Sequence, residues 1–314
     1  MRSPRRSVTA AVEASVGDRH VAARNVAARG AVARDVTASS VDGIVVGVAQ
    51  VGARVGDVAA NLGLAARYLR RAADRGASLV VFPECFLQGY SLGRSVLDLA
   101  EPVDGPAVNA LAEVAGEHRV AIVAGFIEAN PAQPHRPYNA AVVIDRQGEL
   151  VGAYRKTHLF EREAGAFTAG DDYPVFDVPL GADRPPVRVG VCICYDVEFP
   201  EVPRLLAIGG AQLIAVPSAD MEPYRAQQAA NLMSRAIENN VHVALANTVD
   251  RRSAATFFGG SGIAAPDGRL ASAGYLRPRL VTAELRDTAV EASGGAGSSL
   301  RERRVETYER LISR

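Results

Sequence analysis

Short apolar runs that alternate with segments of helical period predict an α/β fold for residues 43–286. Three observations carry this. The runs Ile44–Gln50, Ala77–Phe82, Val120–Ile127, Val187–Ile193 and Gln212–Val216 are short and dominated by aliphatic residues. Between them, Asp57–Arg75, Asp104–His118 and Pro223–Asn240 repeat apolar residues at helical spacing. A chain of 314 residues, 48% hydrophobic and 22% charged, is also long and apolar enough to bury a full core.

In chain order, residues 1–42 stand apart, with seven Arg against four acids (Glu13, Asp18, Asp35, Asp42) and a VAAR-like near-repeat. They read as a disordered extension, because acids are present and no secretory apolar core follows. Ile44–Gln50 is the first strand, and Asp57 caps the helix after it. Ala77–Phe82 is a second strand and ends in Pro83-Glu84-Cys85. After the helix Asp104–His118 come the strands Val120–Ile127 and Tyr138–Ile144. The turn Arg146-Gln147-Gly148 leads into Leu150–Tyr154, which ends in Arg155-Lys156-Thr157-His158. Val187–Ile193 runs straight into Cys194, and a helix begins near Pro200. A helix bounded by Pro223 and Asn239-Asn240 follows the strand Gln212–Val216. Val241–Val249, Ser261–Ala265 and Leu280–Leu285 are further strands, with Pro266-Asp267-Gly268 as a hairpin turn. Residues 287–314 hold a Gly/Ser-rich linker, Ser293–Ser299, and a charged helix over Leu300–Ile312 that suits an oligomer interface.

Composition narrows the function. Lys+Arg and Asp+Glu are both 35, so no net field recruits nucleic acid or an anionic membrane. No apolar run reaches membrane-spanning length. Three cysteines, an odd number, do not form a disulfide framework and fit a reducing cytoplasm. Lys156 is the single lysine of the chain. Where arginine serves almost everywhere else, one retained ammonium marks a place for a compact or tunable charge.

Glu84, Lys156 and Cys194 each sit just past a strand end, where ligand sites of open α/β sheets gather. Their chemistry is coherent. A thiol is mostly protonated at neutral pH and needs a base and a cation to supply the thiolate. Glu84 can take that proton and return it to a leaving amine. Lys156 can favour the thiolate and, with the Tyr195 backbone N–H, hold a tetrahedral oxyanion. Backbone N–H groups at a strand-to-helix elbow would lower the thiol pKa further. Against this stand a buried structural cysteine and a zinc site from Cys85, Cys192, Cys194 and His158. The zinc set lacks a CxxC pair and leaves Lys156 and Glu84 unexplained.

FPECF at Glu84, YRKTHLF at Lys156 and GVCICYDVEFPE at Cys194 resemble the Glu-Lys-Cys triad of the nitrilase (carbon–nitrogen hydrolase) superfamily. YNAAVVID, RAIENN and ALAN add to the resemblance, which runs from about residue 43 to 268. It implies an α-β-β-α sandwich with a single catalytic domain, no metal or other cofactor, and homodimers packing into larger homo-oligomers. It makes Cys194, directly before Tyr-Asp, the nucleophile and leaves Cys192 as core. It also implies an auxiliary glutamate between lysine and cysteine: Glu163, with Glu161 as the alternative. Cys85 is read as packing, and His158 as a hydrogen-bonded structural histidine.

Within that superfamily, Cys-Tyr-Asp instead of Cys-Trp-Glu points to amide hydrolysis. FLQGYSLG, ICYDVEFPE and PSADMEPY look most like bacterial amidases such as 5-aminopentanamidase and (R)-stereoselective amidase. Glu198 stands where many relatives carry Arg, and Asp220 where close relatives usually carry Asn. With Tyr90, these two are the expected substrate-binding residues, and carboxylates there favour a cationic substrate end. The expected activity is hydrolysis of a small aliphatic or cyclic, amino-bearing carboxamide through a cysteine thioester (EC 3.5.1). N-carbamoyl amines and ω-amides are the alternatives, and a catalytically silent binding subunit is the non-enzyme alternative.

Overall fold

The computed structural model describes residues 40–181, 183–250, 255–287, 300 and 302–312. The expectations for residues 1–39 and for the linker at 293–299 lie outside them. In the first half of the chain the strands are β1 (Val45–Gln50), β2 (Leu79–Val81), β3 (Ala121–Glu128), β4 (Tyr138–Ile144) and β5 (Leu150–Arg155). The second half adds β6 (Val175–Val178), β7 (Val187–Val191), β8 (Leu213–Ser218), β9 (His242–Asn247), β10 (Val249–Asp250) and β11 (Phe257–Phe258). It closes with β12 (Gly262–Ala264), β13 (Leu270–Ser272) and β14 (Arg279–Glu284). The helices are α1 (Val58–Ala73), α2 (Arg94–Leu97), α3 (Pro106–His118), α4 (Glu163–Ala166), α5 (Glu201–Ile208), α6 (Arg225–Asn239) and α7 (Val305–Ile312).

Two six-stranded sheets repeat one plan. The first runs β14-β1-β2-β3-β4-β5, the second β13-β12-β9-β8-β7-β6. In each, three parallel strands (β1–β2–β3 and β7–β8–β9) are flanked by antiparallel ones. Parallel strands are buried on both faces, so their sequences are almost unbroken apolar runs. Alternate residues serve different layers. Val46, Val48, Leu79, Val81, Val123, Val189, Val191 and Leu213 pack between the sheets. Val80, Phe82 and Ile122 instead meet Leu69 of α1 and Leu111 of α3. Cys192, Ile214, Val216 and Val243 meet Leu206 of α5 and Leu232 of α6. The result is an α-β-β-α sandwich.

Local signals set the helix ends. The Asp57 carboxylate accepts the Ala60 N–H at 3.0 Å at the start of α1. Asn240 ends α6 in the left-handed region at φ 50°. The α6 helix starts at Arg225 instead of Pro223 because Met221–Tyr224 first close a turn, the Tyr224 N–H donating to the Met221 carbonyl. β6 and β13 are short, half-exposed edge strands, so they lack the apolar pattern that marks the others. Packing begins before residue 43: Val41 is buried between the sheets, and its N–H donates to Asp287 Oδ1 at 3.0 Å. Among the described residues no helix is long and apolar enough to cross a membrane.

Two elbows define the mouth of the sandwich. The chain leaves β2 and β7 through Cys85 and Cys194, both at φ 48°, a conformation costly for a side chain other than glycine and held only by its surroundings. The first elbow lies flat on β3 at Gly125, where a Cβ would stand 2.3 Å from the Cys85 N and 2.5 Å from the Pro83 O. We expect Gly125→Ala to lower stability by about 2 kcal/mol or more, read as a fall in the urea midpoint. An unchanged midpoint would show that the elbow is not held this way.

Candidate active site

Glu84, Lys156, Cys194 and Asp220 each sit one to three residues beyond a strand. Glu84 follows β2, and its N–H donates to the Ser218 carbonyl at the end of β8 (3.4 Å), joining the two sheets. Lys156 follows β5, and its N–H donates to the Asn139 carbonyl (2.8 Å). The α4 turn delivers Glu163. Ile193 and Cys194 follow β7, and Ala219 and Asp220 follow β8.

Glu84, Lys156 and Glu163 form one ion cluster, each no more than 1% exposed. Lys156 Nζ donates to Glu84 Oε1 at 2.7 Å and to Glu163 Oε2 at 2.8 Å. Two of its three donors are thus used, and one is left for a ligand. Glu163 also accepts from the Tyr90 hydroxyl (3.0 Å), the Phe160 N–H (2.8 Å) and Asn139 Nδ2 (3.3 Å). Asn139 Nδ2 donates to Glu84 Oε1 as well, at 2.7 Å. Glu84 Oε2, by contrast, is buried without a hydrogen-bond partner.

The electrostatics follow from this wiring. Burial raises Glu84 to about 7: the Lys156 ammonium pulls the other way, and the Glu163 carboxylate adds to the rise. Burial alone would push Lys156 down, but the two carboxylates more than reverse this and hold it well above its ordinary value. A carboxyl that titrates near neutral pH and has one free oxygen can carry a proton in either direction.

Cys194 keeps 9% exposure, whereas Cys192 has none. The Cys194 thiol donates to Asp220 Oδ1 at 3.3 Å. Burial pushes the thiol well above its ordinary range. Asp220 and Glu84 push the same way, and Lys156 and the Ala219 N–H offset only part of it. This corrects the expectation that the elbow and the ammonium depress it. The ammonium is shared by two carboxylates, and a third carboxylate lies against the sulfur.

Asp196 fixes the turn that carries the thiol. This buried carboxylate accepts from the Ile193 N–H (2.9 Å), the Tyr154 hydroxyl (2.8 Å), Thr157 Oγ1 (2.9 Å) and the His158 N–H (2.9 Å). It therefore ties the cysteine turn of one sheet to the lysine segment of the other. His158 stacks on Phe199, ring centroids 3.9 Å apart, with Nδ1 3.1 Å from Asp196 Oδ1.

Tyr90, Lys156, Phe160, Cys194, Tyr195 and Glu198 line a pocket with Asp220, Met221 and Tyr224; its volume is about 320 Å³ counted out to its open mouth. Glu84 and Glu163 support its floor through Lys156. Glu161 is exposed and takes no part. The Tyr90 ring lines the pocket, but its hydroxyl is committed to Glu163. The Glu198 carboxylate accepts from Gln227 Nε2 at 2.6 Å and not from an arginine; Arg235 donates to the Val197 and Glu198 carbonyls. Tyr195 is second in a 3₁₀ turn over Cys194–Glu198, among first-turn N–H groups that the turn itself does not satisfy.

Asn139, Phe160 and Tyr224 are site residues that sequence reasoning did not single out. A buried asparagine in the apolar strand YNAAVVI was the available signal for the first. The four zinc candidates do not converge. Cys192 packs on the helix side of its sheet, and Cys85 donates to Asn139 Oδ1 at 3.5 Å.

Known proteins share this architecture. The profile of the family described as "Carbon-nitrogen hydrolase" matches residues 45–292. A Pseudomonas protegens protein named "Hydrolase in pqqF 5'region" is 39% identical over 279 residues, which cover 88% of this chain and 94% of its own length. The (R)-stereoselective amidase of a Pseudomonas species is 34% identical over 224 residues, covering 71% of this chain and 78% of its own length. Among solved structures, a variant of the amidase from Nesterenkonia sp. AN1 superposes with a TM-score of 0.74 at 28% identity. That match covers 86% of this chain and 97% of that one, and the active-site cysteine there carries the acetamide moiety of fluoroacetamide. With the two sheets, the buried Glu-Lys pair and the elbow cysteine in view, the chain belongs to the carbon-nitrogen hydrolase family of the nitrilase superfamily.

Proposed function

We propose that the protein is an amidase that converts a small, amino-bearing carboxamide to its carboxylate and ammonia through a thioester on Cys194. One observation carries the substrate reading. Glu198 and Asp220 face the pocket beside the thiol, and among the described residues no lysine or arginine forms an ion pair with either. Burial raises both above the ordinary carboxylate range. An ammonium on the substrate supplies the missing counter-charge, and an anionic substrate would be repelled. The (R)-stereoselective amidase and the Nesterenkonia amidase support amide hydrolysis, and relatives named nitrilases match as well.

In the proposed reaction, Glu84 takes the thiol proton on its free Oε2, and the sulfur attacks the amide carbon. The oxyanion is held by the third Lys156 N–H and the Tyr195 backbone N–H. Glu84 returns the proton to the nitrogen, the C–N bond breaks, and ammonia leaves. Water then gives a proton to Glu84 and its oxygen to the thioester carbon. The C–S bond breaks, the carboxylate is released, and the thiol regains its proton. Glu163 touches no reacting atom in this scheme: it is a positioning residue that keeps Lys156 in place.

Ammonia release from prolinamide, 5-aminopentanamide, N-carbamoylputrescine, glutaramate and a simple nitrile tests the substrate reading. An amino-bearing amide should lead; a clear preference for glutaramate or the nitrile would overturn it. Cys194→Ala should lower turnover at least about 10³-fold and abolish the acyl-enzyme mass, with Cys192→Ala near wild type. Reversal of that pair would move the nucleophile.

Lys156→Arg should lose at least about 10²-fold in kcat despite its charge. A planar fork cannot place one donor on each carboxylate and a third into the pocket. The rate kcat/KM should rise with pH through about 7, because a protonated Glu84 cannot accept the thiol proton. A flat profile from pH 5 to 8 would exclude this role.

A further inference from the structure

We infer that Asp220 ties attack by the thiol to the charge of the substrate: an ammonium one or two carbons from the amide carbonyl draws this carboxylate off Cys194 and frees the sulfur to react. The inference rests on the amino-bearing amide reading above and narrows its substrate class.

The geometry is specific. The Cys194 thiol donates to Asp220 Oδ1 at 3.3 Å. A carboxylate that accepts the S–H hydrogen favours the thiol and repels the thiolate. Buried Asn247 grips the Asp220 peptide from both sides, so the backbone is fixed beside the thiol and only the carboxylate itself can turn. Asn247 Oδ1 accepts the Asp220 N–H at 2.8 Å, and Asn247 Nδ2 donates to the Asp220 carbonyl at 3.1 Å. Asn247 is itself fixed by Gly259 and Ser261.

The other charged groups around the sulfur do not undo this hold. Glu84 opposes the thiolate, and Glu198 adds negative charge at Asp220. Arg235 acts on Glu198 but spends its donors on the Val197 and Glu198 carbonyls, Asn231 and Glu238. Tyr90 faces the sulfur with its hydroxyl on Glu163. Lys156, the cation nearest the sulfur, is divided between two carboxylates. Without a cationic ligand, the nucleophile is locked as thiol.

A substrate ammonium opens the lock only if it reaches Asp220 while the carbonyl reaches the sulfur. In a near-attack pose the carbonyl carbon lies about 3–3.5 Å from the sulfur. An α-ammonium is two bonds of about 1.5 Å from that carbon, which puts it within hydrogen-bond reach of an oxygen 3.3 Å from the sulfur. One at the far end of a four-carbon chain overshoots Asp220. The favoured class is therefore α- or β-amino carboxamides, cyclic amines included.

Alkylation of the full-length protein by iodoacetamide, a neutral probe, reads the lock without any substrate. Peptide mass mapping confirms Cys194 as the site. Asp220→Asn should move the midpoint of the alkylation–pH profile down by about one unit and raise the rate at pH 7 about tenfold. Propylammonium chloride should accelerate alkylation of the wild type, but not of the variant, relative to equal potassium chloride. In turnover, the variant should lose about 100-fold in kcat/KM on prolinamide and gain about tenfold on neutral cyclopentanecarboxamide.

An unchanged alkylation midpoint, or a folded variant that no longer alkylates at all, overturns the inference; the second result would make Asp220 the base of the thiol. If the wild type prefers cyclopentanecarboxamide while the alkylation shift and the propylammonium effect stand, the amino-amide reading fails and the electrostatic lock survives.

Discussion

The ammonium of Lys156, held between Glu84 and Glu163 out of contact with water, is the interaction on which the site depends. Taking three ionic groups out of water costs several kcal/mol per ion unless every donor and acceptor is matched. The matching is visible. Glu163 accepts from Lys156, Tyr90, Phe160 and Asn139, while Glu84 Oε1 accepts from Lys156 and Asn139. Among the described residues Glu84 Oε2 is left without a partner, and Lys156 Nζ donates to two acceptors of a possible three. In a cluster so carefully satisfied, the orphaned carboxylate oxygen is the position to which the proposed mechanism assigns the moving proton.

Such a cluster needs a frame that does not yield. Lys156 and Glu84 come from one sheet, and Cys194 and Asp220 from the other. Across the gap run the Glu84 N–H to the Ser218 carbonyl and the three donors, from Tyr154, Thr157 and His158, that converge on Asp196. The inter-sheet core brings the sheets together without direction, by burying aliphatic surface. The polar clamps then fix the register to the fraction of an ångström that proton transfer demands.

The parallel core strands were legible because burial on both faces writes itself as continuous Val, Ile, Leu and Ala. The half-exposed edges β6 and β13 carry no such imprint. Glu84, Lys156 and Cys194 stood out because chemistry-bearing residues end apolar runs, and the fold brings Lys156 and Cys194 to one pocket with Glu84 bonded to the lysine. Glu163 was separable from Glu161 only by spacing, since one turn of chain puts the first in the ion cluster and the second in solvent. Asn139 sat unremarked in its strand, because its role depends on which carboxylates fold back over it. The state of the thiol was misjudged for a related reason. Sequence order shows that a lysine and a cysteine meet, but not that two acids reach the lysine first and a third reaches the sulfur.

That third acid changes how the site should be understood. Among the described residues, Glu84 and Glu163 hold the one ammonium while Asp220 and Glu198 line the same pocket without an ion pair, so the acids outnumber the cation there. Where these groups are withdrawn from solvent such an imbalance is costly, and burial raises Asp220 and Glu198. Relief by protonation alone would leave two neutral acids and an unspecific apolar hole. Relief by a bound ammonium, as proposed, would make the electrostatic deficit the binding determinant. The same event removes the charge that keeps the sulfur protonated, so recognition and activation draw on a single Coulombic term. A neutral amide would leave that term unspent, which under this proposal is the physical reason for a carboxylate, and not a carboxamide, at position 220.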